Sequence, residues 1–466
     1  MKRKTLCLLL ALLLVFTVLA SCNNTTNSNS PSNSTSPGGT TNPEVSTSPV
    51  ESTNSANPSD TGNAEAADPY PTLANGNITV LWHTDEEAFL TSKANLEAEG
   101  KKAFDAVWSV KEAFEKKYGG TVTVVAVPWG DMKPTLISMV ANGEACELAQ
   151  ANDQNFPIYP AKKLVKPVTG IVDLNDTVWN PAVSESFTFN GQVYAMGTDA
   201  TSIQLYYNKD LFESYGIKTP DEYYAEGKWN WNTFREVAMA LTDDTDGDGV
   251  NDQFGFGWWD AQYNLFLGSN GLTNILYKDD GTITTNYDKP AAIEALQFLQ
   301  DAYNKDGYID KTRSGDYFIG DFRAGKLAMT CEYGMLIYGD VTFELGCLPF
   351  PRGPKVDVDS GYGGLSGWVI PVTSTNDEGA AAFAYMSSQM RNEIVYAEMF
   401  ARWDEAAVAR YNGAVSNIKF APIGIDKYWD NNWTVHVGLL DNTPIATFTA
   451  AATDMIREGA ISTLEQ

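Results

Sequence analysis

The sequence predicts an α/β fold divided into two lobes, and two observations carry this prediction. Between residues 78 and 151, short apolar segments alternate with amphipathic helical segments, which is the pattern of βαβ units around a parallel sheet. About 390 residues follow a polar N-terminal segment, and that is more than a single hydrophobic core usually organises. A mostly parallel sheet with a second domain is therefore expected.

The first lobe opens with five predicted elements. Continuous apolar runs indicate strands, and apolar side chains spaced three or four apart indicate helices, which here end at Gly119 and Gly143. In order, the elements are strand Ile78–Trp82, helix Ala106–Tyr118, strand Thr121–Val127, helix Pro134–Asn142 and strand Glu147–Ala151.

Polar and aromatic residues follow the carboxyl ends of these strands. Trp82 ends the first strand, Trp129 and Asp131 follow the second, and Asp153 follows the third. Ligands of α/β proteins bind at that edge of the sheet, so we expect two indoles and two carboxylates to face one crevice. The alternative is that both indoles belong to the core.

Three later segments have a common form, in which a strand adjoins a short helix or a turn. They are Leu205–Gly216, Phe322–Met329 and Gly364–Pro371. In this order and spacing they resemble the extracellular solute-binding proteins of ABC importers, in the sugar-binding family that includes maltose-binding protein. The resemblance extends from Asn77 to the C-terminus and implies a two-lobed periplasmic-binding-protein-like fold of type II. These segments would then be the crossovers at which the chain passes between lobes.

The resemblance also implies the domain boundaries and the function. The N-terminal lobe would comprise 77–200 and 323–362, and the C-terminal lobe 201–322 and 363–466. A monomer would close on a mono- or oligosaccharide by hinge motion and deliver it to a membrane permease, or present it to a sensor. Matched by position, the expected ligand-binding residues are Trp82, Trp129, Asp131, Asp153, Asp199, Trp231, Glu332 and Trp403.

The N-terminus has the form of a targeting segment. Basic residues precede an apolar run, and Leu19–Cys22 resembles a bacterial lipobox. We therefore expect residues 1–21 to be a signal peptide and Cys22 to carry a lipid on the extracellular face of a Gram-positive type membrane. A transmembrane anchor is the alternative. Residues 22–76 are rich in Asn, Ser, Thr, Pro and Gly, which predicts a disordered tether.

Composition excludes several functions. The net charge is −27 and argues against nucleic acid and anionic membrane surfaces as partners. With only two histidines, zinc-type and serine-hydrolase catalysis have little support, and no organic cofactor is indicated. The remaining enzymatic hypothesis is a glycosidase or lyase that uses Asp131 and Glu332. Cys331 and Cys347 are expected to be core thiols, although a disulfide between them stays open.

One acidic segment predicts a structural calcium site. Asp244, Asp246 and Asp248 occupy positions 1, 3 and 5 of an EF-hand-like loop, Val250 position 7 and Asp252 position 9. Position 12 is not the usual Glu, so the bidentate ligand is missing. A solvated acidic turn is the alternative.

Overall fold

The computed structural model describes residues 68–83, 109–278, 281–315, 317–333, 341–392, 400, 403–421 and 423–464. The predicted signal peptide, Cys22 and most of the predicted tether lie outside these residues. Within them, no helix combines the length and the apolar character needed to cross a bilayer.

The strands confirm the alternating pattern of the first lobe and continue beyond it. They are β1 Ile78–His83, β2 Val122–Val127, β3 Leu148–Asn152, β4 Val165–Lys166, β5 Thr188–Phe189, β6 Gln192–Val193, β7 Met196–Asn208, β8 Phe254–Phe256, β9 Ile275–Tyr277, β10 Ile283–Thr285, β11 Leu327–Tyr333, β12 Leu345–Pro349 and β13 Gly363–Pro371.

Helices cover both lobes and dominate the C-terminal part. They are α1 109–118, α2 Met132–Asn142, α3 Ile158–Ala161, α4 Pro181–Ser186, α5 Lys209–Ser214, α6 Pro220–Ala225, α7 Trp231–Ala240, α8 Tyr263–Ser269, α9 Pro290–Asp301, α10 Tyr317–Arg323, α11 Asp377–Met390, α12 Glu405–Ser416, α13 Tyr428–Leu440 and α14 Ile445–Leu464.

A long central strand, β7, connects the two lobes. Among the described residues the main sheet runs β2-β1-β3-β13-β7-β11-β8, with β12 also paired to β7 and β4 to β13. The first half of β7 pairs with β13, and its second half pairs with β11 and β12. The first three strands are parallel to one another, as predicted, whereas β13 is antiparallel to both its neighbours.

The hydrophobic clusters change along β7. Ala200 belongs to a cluster of the first lobe, whereas Ile203 and Leu205 belong to the large cluster of the second. The chain therefore passes from one lobe to the other near residue 201, a few residues before the segment Leu205–Gly216 that was interpreted as the first crossover. The burial of the apolar side chains in these clusters is the main contribution to the stability of each lobe.

The expected assignment of the later segments to the lobes was wrong. Leu327 and Met329 of β11 pack in the cluster of the second lobe, although 323–362 was expected in the first. Conversely, Trp368 of β13 and Phe383 of α11 pack in the first lobe, although 363–466 was expected wholly in the second. The reason is the non-local insertion of β13 between β3 and β7.

The predicted tether is too long by several residues. Tyr70 and Leu73 pack against the first-lobe cluster, and the Tyr118 hydroxyl donates a hydrogen bond to the Tyr70 carbonyl at 2.6 Å. Asp68 forms an ion pair with Lys117. The few large apolar residues at the end of this segment are therefore part of the folded body.

Candidate functional site

A cavity of about 430 Å³ lies where the two lobes and the crossing strands meet. The first lobe contributes the end of β3, and the crossing strands contribute β7 and the start of β13. The second lobe contributes the end of β11 and the beginnings of α8 and α13. The lining residues are Asn152, Asp153, Gln154, Thr201, Trp259, Asn264, Tyr333, Tyr362, Gly364, Leu365, Ser366, Arg391, Ile423, Tyr428, Trp429 and Asn432.

A short turn after β3 holds the polar edge of the cavity. The Asn152 side chain accepts the N–H of Gln154 at 2.8 Å, and Asn155 accepts the N–H of Asn152 at 3.2 Å. The N–H of Gly424 donates to the Asp153 carbonyl at 2.9 Å. A Cβ at position 424 would lie 2.6 Å from the Gln154 carbonyl oxygen, so glycine is needed for this close approach between the lobes.

An aromatic wall from the second lobe, formed by Trp259, Tyr428 and Trp429, lines the same cavity. The rings of Trp259 and Trp429 meet edge to face with centroids 5.7 Å apart, and the ring of Tyr428 lies 5.3 Å from that of Trp429. About half of the Trp429 side chain is exposed. An indole that is held in place and still accessible can stack on an apolar ligand face.

Buried hydrogen bonds stabilise the residues behind the aromatic wall. The Tyr263 hydroxyl donates to the side-chain oxygen of Asn432 and accepts from Asn274 at 3.2 Å. Burial raises the pKa of the Tyr263, Tyr362 and Tyr428 hydroxyls. These phenols therefore stay neutral and act as hydrogen-bonding groups at physiological pH.

Asp153 is the notable ionisable group of the cavity. Burial raises the pKa of its carboxyl to about 7, and backbone N–H groups oppose this shift only in part. Burial, and after it the charge of Asp153, raises the pKa of the Tyr333 hydroxyl. The cavity therefore holds a carboxyl that changes charge near neutral pH.

Comparison with known proteins identifies the family. Residues 93–388 match the family described as bacterial extracellular solute-binding protein. The chain belongs to this family. The two-lobed α/β fold with its site between the lobes agrees with that assignment.

Two similar curated proteins are described as binding proteins. This solute-binding protein is 24% identical over 287 residues to the sn-glycerol-3-phosphate-binding periplasmic protein of Pectobacterium atrosepticum, covering 56% of this chain and 61% of that protein. It is 26% identical over 237 residues to a putative binding protein of Brucella abortus, covering 47% of this chain and 52% of that one. The matched part thus spans between half and two thirds of these relatives.

Solved structures show the same fold over a longer stretch. An ABC substrate-binding protein of Listeria monocytogenes in complex with cycloalternan superposes with a TM-score of 0.61 at 17% identity, over 82% of this chain and 98% of that one. The maltose/maltodextrin-binding domain of Bdellovibrio bacteriovorus bound to maltotriose gives 0.56 at 17% identity, over 84% and 100%. At such identities the likeness establishes the fold.

Of the predicted ligand-binding residues of this solute-binding protein, Asp153 lines the cavity. Asp131 is exposed and lies at the start of α2, outside the cavity lining. Glu332 precedes Tyr333 on β11, and because successive strand residues face opposite sides, Glu332 points away from the cavity that Tyr333 lines. The side chains of Trp129 and Asp199 lie outside the described part of the structure.

Two tryptophans expected in the ligand site are core residues instead. Trp82 is 6% exposed and packs edge to face on Trp368 at 4.9 Å. Trp231 is 4% exposed, its indole N–H donates to Ser269 at 3.0 Å, and its ring lies 4.9 Å from that of Phe298. Both predictions were wrong because the indoles fill the cores of their lobes.

Trp403 also lies outside the cavity lining. It is partly buried and packs against the second-lobe cluster and against the small cluster of Ala407 and Tyr411, with its ring centroid 6.2 Å from that of Tyr206. The residues that form the aromatic wall were missed. Their signal is an aromatic doublet beside polar residues, Trp258–Trp259 before Asp260 and Tyr428–Trp429 before Asp430.

The acidic loop folds around its first carboxylate. Asp244 accepts the backbone N–H groups of Gly247, Asp248 and Gly249 at 2.7 to 3.1 Å, and these bonds, that of Gly249 first, lower the pKa of its carboxyl. Carboxylate oxygens of Asp244, Asp246 and Asp248 lie within 4.8 Å of one another. The carboxylate of Asp252 instead accepts the N–H and hydroxyl of Thr245 at 2.9 Å.

The three cysteines of the folded body, Cys146, Cys331 and Cys347, are buried thiols that form no disulfide among the described residues. Cys331 on β11 and Cys347 on β12 both lie in strands paired with β7. The structure thus confirms that they are core thiols.

Proposed function

We propose that this protein binds a neutral saccharide in the cavity and delivers it to the permease of an ABC importer. The observation that carries this proposal is the presence of Trp259 and Trp429, in ring contact, in the same cavity as the polar turn at Asn152 and Asp153. Sugars present apolar C–H faces and a rim of hydroxyls, which such an arrangement complements. The solved relatives with bound oligosaccharides support the same ligand class.

A glycerol phosphate ligand is the second candidate, because one relative is a protein that binds it. The charge of the cavity favours a neutral ligand. Among the described lining residues, Arg391 is the cationic side chain, and the Asp153 carboxyl lies in the same cavity. A phosphate would be repelled by that carboxyl whenever it is ionised.

The hypothesis of a glycosidase or lyase is set aside in favour of binding without turnover. The family and the solved neighbours are solute-binding proteins, and the two carboxylates of that hypothesis, Asp131 and Glu332, do not line the cavity.

A ligand panel tests the proposed function. Thermal unfolding and tryptophan fluorescence would be measured with glucose, maltotriose, mannotriose, cycloalternan and sn-glycerol 3-phosphate. At one hundred times its Kd, a ligand that binds only the folded protein stabilises it by about 2.7 kcal/mol. We expect one or more saccharides to raise Tm and the phosphate ester to leave it unchanged. A shift with the phosphate ester alone would contradict the saccharide assignment.

We also propose that a lipid on Cys22 anchors the protein to the extracellular face of the membrane. The support is the lipobox-like Leu19–Cys22 after an apolar run. Cys22→Ser should move the protein from the membrane fraction to the medium, with saccharide affinity unchanged because the lipid and the cavity are far apart in sequence. Retention of this variant in the membrane would instead support an uncleaved anchor.

A structural Ca²⁺ ion in the acidic loop is a further proposal. Asp244, Asp246 and Asp248 would hold it through carboxylate oxygens, with the carbonyl of Val250. Because the Asp252 carboxylate already accepts a hydrogen bond from Thr245, we expect it to contribute little to coordination of the ion. The ion would neutralise three close carboxylates and fix the turn, with no part in ligand binding.

Chelation tests the calcium proposal. EDTA should lower Tm, and Ca²⁺ but not Mg²⁺ should restore it, because Mg²⁺ requires a stricter octahedral geometry. Asp246→Asn/Asp248→Asn should remove the response to EDTA. An identical Tm with and without EDTA, together with no calcium by elemental analysis, would leave a solvated acidic turn.

A further inference from the structure

Two asparagine side chains lie in the second-lobe wall of the cavity, on different helices. Asn264 belongs to α8 and Asn432 to α13, and both line the cavity. They are 2% and 6% exposed, respectively. Neither polar atom of Asn264 has a hydrogen-bond partner among the described residues. The side-chain nitrogen of Asn432 makes no well-aligned hydrogen bond there, and the Tyr428 hydroxyl lies beside the Asn432 side chain.

Buried carboxamides without partners are costly for a folded protein. Nearly all buried polar groups in native proteins are hydrogen-bonded, and leaving one unpaired forfeits its interaction with water. Such groups are usually retained for a ligand, an ordered water or a function. Here two of them occur together at the wall of the proposed saccharide site.

We propose that Asn264 and Asn432 form a polar subsite that binds neighbouring hydroxyl groups of the saccharide, and that Tyr263 determines which end of Asn432 faces it. This inference rests on the proposed function and adds the residues that determine specificity. The Asn264 carboxamide offers both a donor and an acceptor, which is the complement of a sugar hydroxyl pair.

The orientation of Asn432 follows from the hydrogen bonds behind it. Asn274 donates to the Tyr263 hydroxyl at 3.2 Å, and the Tyr263 hydroxyl donates to the oxygen of Asn432. With its oxygen engaged, Asn432 presents its NH₂ group, and because this group carries two N–H donors, one remains for a ligand even with the Tyr428 hydroxyl beside it. The ligand atom at this position must therefore accept a hydrogen bond, and Tyr263 is a positioning residue.

Asn264→Leu is the decisive variant because leucine has nearly the same shape and no polar atoms. Without ligand, its Tm should equal or exceed that of the wild type, since an unpaired buried amide is removed. Its affinity for the saccharide that most stabilises the wild type in the panel of glucose, maltotriose, mannotriose and cycloalternan should fall at least tenfold.

Asn274→Leu is the matched control. Asn274 is equally buried, but its side chain donates to Tyr263 and accepts the N–H of Ile275 at 2.9 Å. This variant should lower Tm. If Asn264→Leu lowered Tm as much as Asn274→Leu does, Asn264 would be a structural amide. If Asn264→Leu kept wild-type affinity, the Asn264 side chain would not contact the ligand.

A double-mutant cycle tests the positioning role. Tyr263→Phe should weaken saccharide binding about tenfold in the wild-type background and less than twofold in the Asn432→Ala background, because its effect operates through Asn432. Equal losses in both backgrounds would overturn the positioning role. If no saccharide of the panel binds the wild type, the proposed function itself fails. If a saccharide binds the wild type but Asn264→Leu and Tyr263→Phe bind it equally well, only the subsite is refuted.

Discussion

Under the proposed function, Trp429→Ala is expected to lower the affinity for the saccharide about thirtyfold or more. The Trp429 ring lines the cavity and is held edge to face by Trp259 at 5.7 Å, so it can stack on a sugar ring without ordering a flexible side chain. Aromatic anchors at the centre of binding sites typically contribute about 2 kcal/mol or more, and about 1.4 kcal/mol corresponds to tenfold in Kd. Isothermal titration calorimetry with the panel saccharide would measure this loss.

Trp433→Ala is the matched control for this experiment. Trp433 lies one turn further along α13 and is more exposed than Trp429, at 57% against 49%, but it is not part of the cavity lining. Both variants should fold with little change in Tm, because neither indole is buried. Wild-type affinity in Trp429→Ala, or an equal loss in Trp433→Ala, would show that the ligand does not stack on this wall.

The predicted fold agrees with the structure where local sequence determines it. The strands and helices from Ile78 to Asn152 follow from apolar spacing alone, and the crossover on β7 lies where a buried strand was expected. The return path could not be predicted in the same way. β13 is inserted antiparallel between β3 and β7, and an apolar strand carries no local signal of which partner it will pair with.

The candidate site was predicted less completely because a tryptophan side chain can either pack in a hydrophobic core or stack on a ligand, and the sequence does not distinguish the two. Trp82 ends a strand at the edge where ligands bind, but packing against Trp368 and Phe383 buries it. Asp153 does line the cavity, because a carboxylate after a strand has little use in a core, and its contact with a ligand stays a prediction. Trp429 was missed because its helix begins only at Tyr428, and the segment was not recognised as helical.

Asp153→Asn should change the pH dependence of stability more than other single substitutions of a carboxylate in this lobe. The ordinary pKa of Asp is 3.8, and burial raises that of Asp153 to about 7. Between these values the folded protein keeps a proton that the unfolded chain has released. The free energy of unfolding of the wild type therefore falls as the pH rises from about 4 to about 7 and is not lowered further by this group above that range.

Asparagine resembles the protonated carboxyl and does not ionise, so the variant should not lose free energy of unfolding between about pH 4 and pH 7 through this residue. At pH 8 the variant should be more stable than the wild type by about 2 to 4 kcal/mol, given 1.36 kcal/mol per unit of pKa, and the two should be similar near pH 4. Urea unfolding across this range measures the difference, with the exposed Asp131→Asn as control. A constant difference between pH 4 and pH 8 would mean that Asp153 is ionised throughout, and the cavity would then carry a fixed negative charge at every pH at which it binds its ligand.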